Sequence, residues 1–176
     1  MGGQSFTIYE TPYYQLRAIN RTDIENLRLW KNFNKQYFFH EEDISVNQQI
    51  EWYEGFKFRD DDNMFVVEEI VKGSKRSVGC MGYRVKNAVV DVYNIMRGQS
   101  SKDNKFSMSQ AFLLMIAHAS ERERLPVTCT VLKNNPALSW YAINGFKTIS
   151  DQGDSVLLQI TNDFLKSKNI IVKVKK

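Results

Sequence analysis

KNNPALSWYAINGFK, residues 133–147, is the stretch whose reading decides the fold. Asn135 suits a helix N-cap, Pro136 the first helical position, and Asn144 with Gly145 a left-handed helix stop. A short helix with both ends marked is therefore expected. Before it runs LPVTCTVL, 125–132, and after it FKTIS, 146–150, both with the β-branched and apolar make-up of strands. Strand, short helix, strand is the local reading, and the rest of the chain is placed around it.

With 176 residues the chain has the size of a single domain spanning 1–176, large enough to bury a sizeable core. At 43% hydrophobic, 12% aromatic and 25% charged residues, the composition excludes disordered and collagen-like classes. The net charge of +4 comes from scattered basic residues, clustered only in the tail from about residue 166 (Lys166, Lys168, Lys173, Lys175, Lys176), and nucleic acid is not the expected partner. Cys80 and Cys129 lie in apolar runs without a nearby Cys or His at ligand spacing, which fits free thiols in a reducing, cytoplasmic setting and no metal. No apolar run approaches the roughly 20 residues that span a bilayer, so no membrane association is expected.

Working outward, YQLRAI at 14–19 reads as a first strand, and Thr22 with Glu25 as a capping box opening a helix with Leu27, Trp30 and Phe33 on its apolar side. Ser45 with Gln48 opens a second helix carrying Ile50, Tyr53 and Phe56. Asp60, Asp61 and Asp62 read as a solvated turn. Three extended runs, 64–71, 77–85 and 88–96, are close enough for an antiparallel meander. Ser107 with Gln110 opens a long helix, whose apolar face holds Met108, Ala111, Phe112, Met115, Ile116 and Ala119. A hairpin through 151–154 leads into SVLLQIT. The expected fold class is α/β (α+β): a mixed, mostly antiparallel sheet of about seven strands with helices on both faces.

This order of elements, together with the series Asn134, Ala137, Tyr141, Gly145, Phe146, resembles the GNAT superfamily of acyl-CoA-dependent N-acyltransferases across nearly the whole chain. Trp30, Lys31, Asn32 and the run 44–54 are similar to the branch that includes ribosomal-protein N-terminal and nucleotide-linked amino-sugar acetyltransferases. The resemblance implies a sheet splayed at its central parallel pair, with acetyl-CoA in the gap as acyl donor. Main chain around Ile95 and Arg97 would then meet the pantetheine, and the N-terminus of the helix from Ser107 would meet the pyrophosphate, helped by Asn104, Lys105 and Ser109, with Asn134 in the cofactor set. Ser107 and Ser109 stand where the family usually has small residues, in a loop a few residues longer than usual.

By the same resemblance Tyr141 is the general acid near the thioester sulphur; taken by itself it reads as a core aromatic. Asp91 is a candidate base and also reads as an ordinary strand residue, while Tyr93 and Glu69 are placed to reach an amine. His40, in the aromatic loop, could line the acceptor pocket. His118 is assigned no role. The implied activity is transfer of an acetyl group by direct attack of a primary amine, the acceptor being a nucleotide-linked amino sugar, another small molecule or a protein N-terminus, in a monomer or homodimer. A non-catalytic binding module and a basic RNA-associated factor are the competing readings.

Overall fold

The computed structural model describes residues 8–100, 102, 108–123, 125–168 and 174–175. Among these residues nine strands form one sheet: β1 (Ile8–Glu10), β2 (Tyr14–Ala18), β3 (Asp62–Val71), β4 (Ser74–Lys86), β5 (Val89–Arg97), β6 (Val127–Leu132), β7 (Phe146–Asp151), β8 (Ser155–Ile160) and β9 (Val174–Lys175). Their spatial order is β7-β8-β6-β5-β4-β3-β2-β1-β9. Seven have five or more residues, as expected; the additions are the short strands β1 and β9 at one end of the sheet, which pair antiparallel and draw part of the basic tail into it.

β3, β4 and β5 form the meander, joined by two-residue turns at Lys72-Gly73 and Asn87-Ala88. All four turn residues have positive φ, the left-handed conformation that matches strand twist in the tightest hairpins. Near the centre, Cys80 faces Met96 and Gly82 faces Tyr93, so two steps along β4 match three along β5. The extra residue makes a β-bulge at Asn94, whose φ of 50° suits an Asn better than most side chains.

Helices cover both faces. On one lie α3 (Met108–Glu123), α4 (Leu138–Ile143) and α5 (Asn162–Ser167), packed on a core that includes Leu16, Phe65, Val67, Met81, Tyr83, Val92, Phe112, Met115 and Tyr141. On the other, α1 (Ile24–Phe33) and α2 (Val46–Phe56) cover a smaller cluster of Ile19, Leu27, Trp30, Met64, Val66, Cys80 and Met96.

The caps agree in part with expectation. Ser45 and Gln48 form the box that opens α2. Ahead of α1 the box lies two residues earlier: Asn20 and Asp23 cap the short 3-10 turn Arg21–Asp23 that leads into the helix, with Asp23 buried as the partner of Arg17 at 2.7 Å and Thr22 exposed. Phe33 is 83% exposed: the stripe facing the sheet runs through Leu27, Trp30, Lys31 and Asn34, and Phe33 lies off its margin. Asp62 is not in a solvated turn; it begins β3, buried, accepting a hydrogen bond from the Tyr93 hydroxyl and pairing with Arg59 at 3.3 Å. Ser107, expected to cap α3, lies outside the described residues.

Candidate functional site

The sheet's only parallel pairing among the described residues holds β5 to β6 at Val90–Val127 and Asp91–Thr128, with Val90 N–H also donating to the Pro126 carbonyl at 2.9 Å. Beyond that point the strands part: β6 pairs away with β8 from Thr128 to Leu132, and β5 stays with β4. The gap opens a cleft of about 1260 Å³, lined by Val92–Arg97 on one side and Cys129–Leu132 on the other, with α4, α1, α2 and the aromatic loop as walls. A strand that loses its neighbour keeps free main-chain groups on that edge, able to pair with an extended, amide-bearing ligand.

The short helix fixes the floor. Asn135 Oδ1 accepts from Ala137 N–H at 2.9 Å, so it caps the turn that leads into α4, and the regular helix starts at Leu138, two residues later than Pro136 suggests. Gly145 ends it at φ 86°, and a Cβ there would lie 2.2 Å from the Phe164 ring, which leaves glycine as the residue that fits. Between these stops Tyr141 is 7% exposed, edge-on to Trp140 and Phe146, with its hydroxyl against the Cys129 thiol. Burial, then the neighbouring thiol, push the phenol pKa well up, so its proton is firmly held. Burial likewise pushes the Cys129 thiol up to about 12, far from a nucleophilic thiolate.

Of the expected site residues, Tyr141, Asp91, Tyr93, Ile95, Arg97, Ser109 and His40 all line this cleft. Asp91 is held by Arg84 at 2.9 Å. Tyr93 donates to Asp62 and lies under the Arg84 guanidinium, 5.0 Å from its ring centroid; burial, then the Asp62 carboxylate, push its pKa well up. Ser109 accepts from the Asn144 amide at 3.0 Å, tying the start of α3 to the end of α4. Asn134 is exposed beside the cleft, its amide 3.5 Å from the Gln36 carbonyl, and its neighbour Asn135 is the residue on the wall. Asn104, Lys105 and Ser107 lie outside the described residues.

Glu69 is a correction. It is fully buried, does not line the cleft, and cannot reach an amine there, because its carboxylate pairs with Arg76 at 2.7 Å and accepts from the Lys102 main-chain N–H at 3.0 Å. Arg76 also donates to the Gln99 side chain and the Ser100 carbonyl. Glu69 and Arg76 thus pin the segment that leaves β5 toward α3, a positioning task rather than a contact with substrate. His118 is buried in the opposite core, its Nδ1 2.9 Å from the Tyr83 hydroxyl.

The sequence reading gave no role to Lys31. Its ammonium enters the cleft from α1, donates to Asn94 Oδ1 at 2.7 Å and sits 3.3 Å from the centre of the Phe38 ring. Desolvation lowers its pKa to about 8. The signal was a lysine inside the apolar stripe of a helix, at i+4 from Leu27. Among the described residues no group of three or more His, Cys, Asp or Glu side chains is arranged to hold a metal, and no helix is long and apolar enough to cross a membrane.

No family model and no curated protein matches the chain. Solved structures do. The nucleotide-linked sugar GNAT FdhC superposes with a TM-score of 0.71 at 14% identity, covering 91% of this chain and 93% of that one. The spermidine N-acetyltransferase from Vibrio cholerae, solved with CoA and spermine, gives 0.65 at 18%, covering 83% and 92%. A GCN5-related N-acetyltransferase from Brucella melitensis gives 0.65 at 15%, covering 91% and 82%. At these identities the likeness is one of fold, and it agrees with the mostly antiparallel sheet and its parallel central pair: the chain has the fold of the GNAT N-acetyltransferases.

Proposed function

We propose that the protein is an acetyl-CoA-dependent N-acetyltransferase acting on a primary amine, with a nucleotide-linked amino sugar as the favoured acceptor class. The observation that carries this reading is the parted β5–β6 pair with the buried Tyr141 phenol on its α4 wall. The cleft suits the donor. The free edges of β5 and β6 fit an amide-bearing pantetheine arm, and Ser109 stands on its wall at the start of α3, where helix amides favour anions.

Acetyl-CoA supplies the activated acyl group. The residues of this chain handle the protons. Tyr141 holds a proton where the sulphur of the departing thiol would lie, and burial raises the basicity of a thiolate as it does that of a phenolate, so the two remain matched. Asp91 lies on the α1 and α2 side of the cleft, held by Arg84, and takes the role of receiving the proton that the amine gives up, directly or through water. Tyr93 is engaged with Asp62 and orients the wall rather than abstracting a proton.

Tyr141→Phe tests this directly. Acetyl-CoA should raise the melting temperature of both proteins equally by mass action, while kcat falls about 10²- to 10⁴-fold in the variant. Full turnover would remove Tyr141 from the mechanism. Absence of any thermal shift at millimolar acetyl-CoA in the parent protein would favour the non-catalytic binding module, for which Ser107 and Ser109 at the usual small-residue positions are the motive.

A further inference from the structure

Lys31 occupies an unusual position for a lysine. It projects from the sheet-facing stripe of α1 toward the bulge of β5, and both of its polar or aromatic partners, Asn94 and Phe38, are neutral. No ion pair involves it among the described residues; a neutral amide oxygen and an aromatic face are the partners of its charge. A half-desolvated ammonium with neutral partners is stabilised when an anion comes to it.

The surroundings carry the same sign. Among the described residues the cleft is lined by Lys31, Arg84, Lys86 and Arg97 against a single carboxylate, Asp91, already held by Arg84. A polyamine would have to place several positive charges among these groups. An acceptor with a negative group meets complementary charge.

We infer that Lys31 anchors an acidic group, phosphate or carboxylate, carried by the amine acceptor itself, close to the amine that is acetylated. This rests on the acetyltransferase reading. The donor's own phosphates are a poor source for that anion, because the helix terminus suited to them belongs to α3, on the face opposite α1. Lys31 reaches the bulge from the α1 face, where the acceptor must enter. Specificity would then come from one unpaired cation that neutral amines and polyamines leave unsatisfied.

The experiment is calorimetric titration of CoA-saturated protein, whose donor site is filled, with glucosamine 6-phosphate, 4-aminobutyrate, glucosamine and spermidine. At least one acid-bearing amine should bind about tenfold or more tightly than glucosamine and spermidine, in line with a charge-assisted bond. The phosphate and carboxylate arms say which acid is preferred. Lys31→Gln should abolish the preference with CoA affinity unchanged, and Lys31→Arg should keep part of it. Asn94→Asp, which hands Lys31 an internal counter-ion, should weaken the acid-bearing probe as well. Spermidine or glucosamine binding as tightly as both acid-bearing amines, or a Lys31→Gln protein that keeps the preference, would overturn the inference. If CoA itself releases no heat, the acetyltransferase reading is what fails; the same four titrations without CoA then decide the Lys31 site.

Discussion

The two faces of the sheet are built to different standards. On the α3 and α4 face, twenty-three of the described residues form one buried cluster, and Tyr141, the proposed proton donor, is part of that packing. On the α1 and α2 face the cluster has seven, edged by half-buried Phe38, Trp52, Tyr53, Phe56 and Tyr93, and the charged groups of the cleft stand among them. A group that must hold a proton in place gains from dense, apolar surroundings. A wall that must accept a polar ligand gains from fewer fixed contacts and from charge without a partner. On the proposed function, the difference separates a rigid thioester end from an adaptable acceptor end.

The widest gap between the faces should appear on truncation at Phe112, which is fully buried and packed against Trp140 and Phe146. Phe112→Ala should cost about 3–5 kcal/mol in chemical denaturation, and α4 with Tyr141 should loosen with it, so kcat falls too. On the other face the sensitive point is crowding. A Cβ on Gly98 would lie 2.0 Å from the Trp30 indole, so Gly98→Ala should cost about 1–3 kcal/mol. That insertion pushes α1 outward, and its kinetic effect should fall on acceptor KM rather than kcat. Equal kinetic signatures from the two variants would break the distinction between a thioester end and an acceptor end.

Much of the first face was legible in the sequence because its signals are local. The helix stops, the hairpin turns and the 3.6-residue stripe of α3 are each written within a few consecutive residues and gave the order of elements, while Tyr141 came from the resemblance carried by Asn134, Ala137, Tyr141, Gly145 and Phe146. The second face depends on meetings across long separations. Lys31 finds Asn94 sixty-three positions away, and Arg17 finds Glu68 fifty-one away. No pattern within one segment announces such a pair. Glu69 read as a substrate contact because the end of a strand is where one is sought, and Arg76, which neutralises it, was visible only as one more basic residue near a turn. Thr22 with Glu25 matched a capping pattern, whereas the box forms between Asn20 and Asp23, whose carboxylate also holds Arg17 of β2.

The smallest expected effect concerns acid stability on the dense face. Burial, and then the charge of Arg122, pull the His118 pKa down from 6.5 to about 4, and the Tyr83 hydroxyl and the edge-on Phe65 ring hold the imidazole in place. Above pH 6.5 the ring is neutral in folded and unfolded chains alike, and its surroundings contribute their full stability. Between 6.5 and about 4 the unfolded chain takes up a proton that the folded one refuses, so stability falls as the pH drops, by at most about 1.4 kcal/mol per pH unit for one proton. Below about 4 both states are protonated and this group adds no further loss. His118→Gln keeps an acceptor for the Tyr83 hydroxyl and cannot titrate. Urea denaturation at pH 6.5 and pH 5 should therefore show a smaller loss for His118→Gln than for the parent, and equal losses would mean that His118 is protonated within the fold and that the dense face admits charge after all.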